Sequence, residues 1–389
     1  MKHERCHLEN KWEEADKLLT DLLNIKSVNG RDDEGQVALF LKAYFESFGI
    51  SSEIQKIDEK HSNFVTHIPG RDHSRHILMN GHMDTVPYGD LDKWNTDPGT
   101  AVLDPEGRVF ARGASDMKSG LAMLSYAIAH VAEKGTPAFD ITFAATCDEE
   151  KGGLGANVFS ESKLLPKVTE ILIGEPTYLN LGIAQKGCLW LELSFEGITG
   201  HGAYPEKGLN AIEEGMRVAS LLKAAVQKES NPVLGHATAQ VTKIEGGVAP
   251  NMTPDRCVLL MDIRMVPGQT KEDVLRCLSE ILKDRNKIDP RLICHYEVKN
   301  ERVSVEIGRD ARLTKDLKHI LERQGEEPEY TGISYFTDGS AILKALPDAG
   351  VLLFGPGDPE LCHQANECVE LEKYHKAIEV LMEFISNGK

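Results

Sequence analysis

The sequence has no run of about 18 apolar residues, which excludes a membrane-spanning helix of ordinary length. Its eight cysteines form no CxxC pair, so we expect reduced thiols rather than a disulfide framework. Residues 1–19 are charged throughout and lack the 7–15-residue apolar core of a signal peptide. Together, these three absences predict a cytoplasmic protein.

The sequence has fewer basic than acidic side chains. Lys and Arg number 44 against 61 Asp and Glu, and the formal net charge is -17. No basic run interrupts this excess, so nucleic acids and anionic membranes are not expected as partners, because both are held by clustered cations. A carboxylate surplus suits a site for hard cations, but solvated surface charge accounts for most of it.

The length of 389 residues allows two or three compact domains. With 41% hydrophobic and 27% charged residues, the composition is that of an ordinary globular protein. There is no internal repeat, low-complexity tract or long linker. We therefore expect the junctions between domains to be short hinges.

The first half of the chain alternates helix and strand patterns. Apolar residues at helical spacing predict an amphipathic helix through Val37, Phe40, Leu41, Tyr44, Phe45 and Phe48. Short apolar runs at 77–79, 141–145 and 171–173 predict buried strands, and a helix is expected at 121–131. Buried strands separated by helices indicate a mainly parallel α/β sheet with helices on both faces.

The pattern changes near Ala184. Apolar residues then alternate with more polar ones, as expected for an antiparallel strand with one wet face: Leu189, Leu191, Leu193 and Phe195. Helices at 211–226 and 274–282 and a strand at 258–263 complete an α+β insertion. The first pattern then returns, with helices at 313–323 and 371–384 and a strand at 351–354. We therefore predict a domain of residues 1–184 and 300–389, interrupted by a second domain of residues 185–299.

Metal-competent side chains follow these strands or lie in glycine-rich turns. They are found in GHMDTVP, GASDMK, CDEEKG, GEPT and CHQANE, and they are His82, Asp84, Asp116, Glu149, Glu150, Glu175 and His363. Alone, GHMDTVP is more typical of a turn with a satisfied histidine, and DEE of a solvated corner. Occurring together, they suggest a shared crevice at the carboxyl ends of the strands, because carboxylates within apolar sequence are costly unless paired or coordinated.

The histidine and carboxylate side chains of these motifs are suited to metal binding. Imidazole and carboxylate ligands fit two divalent ions, most often Zn with Co or Mn as alternatives, provided that one carboxylate bridges them. Two such ions about 3.5–4 Å apart polarise a carbonyl and lower the pKa of a shared water. One acidic side chain then remains as a base.

With these motifs in this order and spacing, the chain resembles the M20 metallopeptidases, in particular acetylornithine deacetylases, succinyl-diaminopimelate desuccinylases and glutamate carboxypeptidases. The resemblance covers nearly the whole chain and rests on GHMDTVP, DMK and DEE. It implies a catalytic domain with an inserted lid and dimerisation domain. The implied reaction is hydrolysis of the amide bond of a small N-acyl amino acid by metal-activated water.

The same resemblance implies a role for each residue of the crevice. His82 and Glu175 are implied to hold one metal ion and Glu150 and His363 the other, with Asp116 bridging the two. Glu149 is implied to be the general base, and Asp84 to orient His82. Adjacent side chains on an extended segment point to opposite faces. One of the two can therefore coordinate a metal while the other faces the water, and the resemblance implies that Glu150 is the ligand and that Glu149 faces the water.

Three residues of the insertion match substrate-contacting positions of the family. His201 in GITGHGAYPEKG is implied to stabilise the oxyanion, often from the partner subunit of a homodimer. Asn251 and Arg264 are implied to bind substrate, with the guanidinium holding a free carboxylate. Two of them have a non-functional alternative: His201 as an ordinary loop histidine, and Arg264 as part of a structural ion pair.

Departures from the family pattern leave the substrate open. Residues 334–338 read SYFTD, where many relatives have GGTD, and this favours the acetylornithine deacetylase branch. Cys362 beside His363 is unusual, and we interpret it as a buried, inert thiol. The alternatives are a di- or tripeptidase or carboxypeptidase of the same family, and a non-catalytic protein that binds metal or ligand.

Overall fold

A computed structural model describes residues 11–388, which divide into two compact units. Unit 1 comprises residues up to Ile183, Glu306–Thr331 and the chain from Thr337 onward, and unit 2 comprises Ala184–Val305 and Gly332–Phe336. The prediction from the sequence places Ala184 and residues 300–305 and 332–336 outside the second domain.

The helices and strands of the described residues, in chain order, have the following bounds. The helices are α1 Glu13–Asn24, α2 Gly35–Ser47, α3 Lys118–Lys134, α4 Leu154–Ser160, α5 Ala211–Val226, α6 Lys271–Ile288, α7 Arg312–Arg323, α8 Gly339–Ala345 and α9 Leu371–Asn387. The strands are β1 Ser52–Lys56, β2 Ser62–Ile68, β3 Asp72–His82, β4 Val102–Leu103, β5 Arg108–Phe110, β6 Phe139–Thr146, β7 Glu170–Ile173, β8 Leu181–Gln185, β9 Gly187–Glu196, β10 Ser230–Asn231, β11 Gly235–His236, β12 Thr238–Gly246, β13 Arg256–Met265, β14 Ile293–Arg302, β15 Val305–Glu306, β16 Tyr330–Ile333, β17 Gly350–Leu353 and β18 Cys368–Glu370.

The large sheet has the strand order β1-β2-β6-β3-β7-β17-β8-β15, with β16 also paired to β8. Its centre is parallel, because β3 pairs in parallel with β6 and β7, and β17 pairs in parallel with β7. Parallel strands end at one edge of a sheet, so the residues that follow β3, β6 and β7 emerge together.

Helices cover both faces of this sheet. On one face, Phe45 of α2 packs against Phe64 and Phe143, and α3 packs against β3. On the other face, the side chain of Asn63 donates a hydrogen bond to Gly155 O of α4 at 2.9 Å. The predicted strands, helices and two-faced arrangement of the mainly parallel sheet are confirmed.

A glycine lets α3 approach the end of β7 closely. A Cβ built at Gly120 would lie 1.8 Å from the carbonyl oxygen of Gly174, so one of the two backbones would have to move. We expect Gly120→Ala to lower the free energy of unfolding by about 1–3 kcal/mol or more, as overpacking does. Urea titration followed by circular dichroism measures this loss.

Gly135, at the other end of α3, is the matched control. It has extended backbone geometry with φ of 165°, and no atom lies within 4 Å of a Cβ built there. Gly135→Ala should therefore leave the unfolding midpoint nearly unchanged. Equal midpoints for the two variants would contradict the close approach of α3 to Gly174.

Unit 2 contains a four-stranded antiparallel sheet in the order β12-β13-β9-β14. Side chains of β9 alternate between buried and half-buried, with Leu191 and Leu193 fully buried. Helix α5 packs on β9, β12 and β13 and also on α6. The predicted antiparallel sheet of the insertion is confirmed, and with it the fold class.

The helices of unit 2 have well-defined starts and a shared ion pair. Asn210 caps α5 by accepting hydrogen bonds from the backbone N–H groups of Ile212 and Glu213. A reciprocal capping box between Thr270 and Asp273 begins α6. Arg285 of α6 then binds Glu214 of α5 through Nε and Nη2 at 2.6–2.9 Å.

Among residues 11–388 no helix is both long enough and apolar enough to cross a membrane. The seven cysteines in this range are all free of disulfide bonds.

Candidate metal centre

The predicted residues of the crevice emerge at the carboxyl edge of the large sheet. His82 is the last residue of β3, Glu149 and Glu150 follow β6, and Glu175 follows β7. Asp116 lies two residues before the start of α3. These positions come from sequence segments far apart in the chain, and the parallel strand order brings them together.

Asp116 lies between two histidines. Its Oδ1 is 3.1 Å from Nε2 of His82, and its Oδ2 is 3.3 Å from Nε2 of His363. His363 Nε2 is also 3.1 Å from the carboxylate of Glu150. His82, Asp116 and Glu150 each offer a ligand atom, and these three atoms lie within 4.8 Å of one another. Four of the five predicted ligands therefore belong to one cluster linked by contacts through Asp116 and His363.

The remaining two carboxyl groups are buried in the same place. Glu149 and Glu175 are 7% and 2% exposed. Burial raises the pKa of Glu149 well above its usual range, and the charges of Glu175 and Glu150 add to the shift. Burial raises the pKa of Glu175 in the same way, with a further contribution from Asp116. Both side chains therefore belong to the electrostatic environment of the cluster.

The opposite charges of Asp116 and His363 shift the pKa values of both groups. Burial works against ionisation of Asp116, but hydrogen bonds to His363 and His82 hold its pKa below the usual range. Hydrogen bonds to Asp116 and Glu150 in turn raise the pKa of His363 to about 10. The carboxyl groups thus require positive charge at this point.

The residues fit two divalent cations. Four carboxyl groups and two imidazoles, most of them buried, are costly to bring together unless cations are coordinated there. Oxygen and imidazole donors suit Zn, Co or Mn. The two oxygens of Asp116 face different histidines, which is the arrangement that a bridging carboxylate requires. The types of ligand atom support metal binding at this cluster but do not distinguish between Zn, Co and Mn.

Asp84 is placed differently from the prediction. His82 Nδ1 donates its hydrogen bond at 3.0 Å to the backbone carbonyl of Asp84, and the Asp84 carboxylate is 3.6 Å away. That carboxylate instead accepts hydrogen bonds at 3.1 Å from the backbone N–H groups of Glu149 and Glu150. Asp84, which is fully buried, therefore holds the segment that carries both glutamates.

The expectation that Glu149 and Glu150 lie on an extended segment is wrong. They occupy a turn that begins at Asp148, whose φ is 60°. In a strand, consecutive N–H groups point in opposite directions, whereas here both point to one carboxylate. The two side chains still differ, because only Glu150 contacts His363.

His201, Asn251 and Arg264 all lie in unit 2. His201 is exposed, its Nδ1 accepts a hydrogen bond from Ala203 N at 3.0 Å, and Gly202 N donates to Asn251 O at 2.8 Å. Arg264 forms a two-pronged ion pair with Asp262 at 2.7 and 3.0 Å. The structural ion pair considered for Arg264 thus exists, and the predicted substrate roles of all three stay predictions.

Three polar residues that the sequence did not single out support the cluster. Asn29 Nδ2 donates to Asp84 Oδ2 at 2.9 Å. Glu367 accepts a hydrogen bond from the backbone N–H of Ser115, next to Asp116, and another from Arg112. Glu367 closes the CHQANE motif and Arg112 precedes GASDMK, so proximity to a predicted ligand was an available signal. Asn29 had no such signal.

Residues 78–387 match the sequence profile described as Peptidase family M20/M25/M40. The chain belongs to this family. A "probable succinyl-diaminopimelate desuccinylase" of Staphylococcus aureus (strain MSSA476) is 28% identical to this M20 chain over 94% of its length and 95% of that protein. An "acetylornithine deacetylase" of Proteus mirabilis (strain HI4320) is 29% identical over 94% of this chain and 93% of that protein.

The M20 fold is also found by structural comparison. The YXEP protein of Bacillus subtilis, described as a dinuclear metal binding peptidase from M20 family, has a TM-score of 0.70. It is 15% identical and covers 96% of each chain. The predicted family is thus confirmed, and this M20 protein is a metal-dependent hydrolase that acts on amide bonds.

Proposed function

We propose that the protein hydrolyses the amide bond of a small N-acylated amino acid, with Glu149 as the general base. The observation that supports this proposal most directly is the contact of His82, Asp116, Glu150 and His363, with the buried carboxyl of Glu149 in the same environment. Relatives described as desuccinylase and acetylornithine deacetylase support the N-acyl substrate class.

His82 and Glu175 would hold one metal ion, Glu150 and His363 the other, and Asp116 both. Two bound ions, Zn or alternatively Co or Mn, supply positive charge that polarises the scissile carbonyl and lowers the pKa of a water. Glu149 accepts a proton from the attacking water and returns it to the leaving amine. Asp84 orients Glu149 through the backbone N–H that it accepts.

The residues of unit 2 complete the proposal. The His201 imidazole stabilises the oxyanion, Asn251 contacts the substrate, and the Arg264 guanidinium binds the substrate's free carboxylate. We also propose a homodimer formed through unit 2 and a cytoplasmic location. Sedimentation equilibrium of the purified protein tests the dimer.

The second candidate is a peptidase that uses the same metals and base, supported by similar solved structures described as an aminopeptidase, a tripeptidase and a peptidase of the M20 family. A substrate panel separates the two. N-acetyl, N-succinyl and N-formyl amino acids are compared with di- and tripeptides by kcat/KM on protein loaded with Zn, Co or Mn. We expect the highest values for one N-acyl series. Faster cleavage of the peptides would replace the deacylase proposal with the peptidase one.

Chelator-treated protein is the control for this panel. It should lose turnover on every substrate and regain it when the metal is returned, because the proposed chemistry needs the ions. Full amidase activity after the metal has been removed would refute the proposed mechanism for both substrate classes.

A further inference from the structure

Glu367 is a fully buried carboxylate that contacts the backbone of Asp116. Its Oε1 accepts hydrogen bonds from the N–H groups of Ser115 at 2.8 Å and Asp116 at 3.0 Å. Its Oε2 accepts from Nη1 of Arg112 at 2.7 Å. Both carboxylate oxygens are therefore engaged, one by the backbone of the ligand segment and one by a cation.

Arg112 joins the same two segments. It is 4% exposed, and its Nη1 also donates to the carbonyl of Gln364 at 3.1 Å. Its guanidinium lies 5.0 Å from the ring centroid of Trp94, which confines it from the side. The backbone N–H of Ala111 donates to Glu367 O at 3.2 Å. The segment that carries Asp116 is thus tied to the segment that carries His363.

These contacts to the backbone of Asp116 affect the position of its side chain in the cluster. Because its two oxygens face His82 and His363 at 3.1 and 3.3 Å, a shift of its backbone changes both contacts at once. A buried ion pair gains little stability over an apolar pair of the same size, so its presence here calls for another reason. Fixing the direction of two backbone N–H groups is something that only a hydrogen-bond acceptor can do.

We propose that Glu367 and Arg112 are positioning residues that set the backbone of Asp116 against His363 and thereby the affinity of the centre for its two metal ions. The inference rests on the proposed two-metal function. Neither residue contacts the reacting atoms, and both act through Asp116. Their effect should therefore be on metal affinity and kcat more than on KM.

Glu367→Gln is the primary test. The carboxamide oxygen can still accept from Ser115 and Asp116, but its NH₂ group then faces the N–H of Arg112. We expect Zn²⁺ affinity, measured by competition with a chromogenic chelator, to fall about 10–100-fold, as is typical when the partner of a metal ligand is lost. With the metal saturating, kcat should fall and KM should stay within about twofold of the native value.

The chain offers a matched control in Glu170. This carboxylate pairs with buried Arg75 at 2.6 Å and accepts the backbone N–H of Leu313 at 2.7 Å, so, like Glu367, it joins a buried arginine to the backbone. It is the first residue of β7, at the edge opposite the cluster. Glu170→Gln should lower thermal stability about as much as Glu367→Gln does, with unchanged Zn²⁺ affinity.

Native Zn²⁺ affinity and a native kcat in folded Glu367→Gln would overturn the proposal, as would equal losses of affinity in both variants. If Glu367→Gln does not fold, Arg112→Lys supplies the test. It keeps the charge, but its ammonium nitrogen is one bond nearer to the backbone than Nη1 of Arg112, which donates to both Glu367 and Gln364. Both contacts should therefore weaken, and the same loss of affinity is expected. Native protein that binds two Zn²⁺ but cleaves no panel substrate would refute the proposed function and leave this inference standing.

Discussion

Glu149→Gln is expected to lower kcat by about 10²–10⁴-fold, the range that a positioned general base contributes. The substitution keeps the shape of the side chain and removes the group that accepts the proton of the attacking water. It also removes one buried carboxyl whose pKa burial raises, so the fold should not suffer. Metal content by elemental analysis, together with kcat on the best panel substrate, measures the outcome.

Glu150→Gln is the contrast for this prediction. Glu150 contacts His363 at 3.1 Å. Glu150→Gln should therefore lower the metal content more than it lowers the turnover per bound metal ion. Unchanged turnover in Glu149→Gln would exclude Glu149 as the base. Metal loss from Glu149→Gln equal to that from Glu150→Gln would make Glu149 a ligand.

Asp116→Asn should have an effect of comparable size by another route. A carboxamide presents one oxygen and one NH₂ group, so it cannot accept from both histidines that Asp116 faces. We expect the bound metal to fall from two ions to one or none. Turnover should fall by more than the 10–100-fold that loss of an outer partner causes. Isothermal titration of the metal-free protein with Zn²⁺ measures the stoichiometry.

Asp84→Asn controls for the loss of a buried carboxylate. Asp84 accepts the backbone N–H groups of Glu149 and Glu150 and is not placed as a ligand. Its variant should still bind two ions, with activity lowered about 10–100-fold. Two ions retained by Asp116→Asn, or lost equally by both variants, would rule out a bridging role for Asp116.

Much of this architecture could be predicted because residues that follow parallel strands lie at the same edge of the sheet, however far apart they are in the sequence. Apolar runs fix the strands, and a residue that directly follows a buried parallel strand must emerge at one edge. His82, Glu149, Glu150 and Glu175 were found in this way. The motifs they share with the M20 family supplied the division of roles that strand positions alone do not contain.

The supporting contacts could not be predicted because they join backbone groups to distant side chains. No periodicity shows that the Asp84 carboxylate accepts from two consecutive N–H groups in the turn at Glu149 and Glu150. Glu367 lies 251 residues from the N–H of Asp116 that it accepts. Residues 332–336 group with unit 2 through tertiary contacts, such as Lys186 N to Ile333 O at 3.0 Å.

The place of β17 in the large sheet has a consequence for synthesis on the ribosome. β17 lies between β7 and β8, although about 165 residues separate it from β8 in the chain. The core of unit 2 uses residues between Ala184 and Val298, so its residues are all synthesised while the large sheet still lacks an inner strand. Until residues 350–367 emerge, the growing chain exposes the edges of β7 and β8, and the acidic cluster has neither His363 nor Glu367. The nascent chain is therefore most prone to aggregation late in translation.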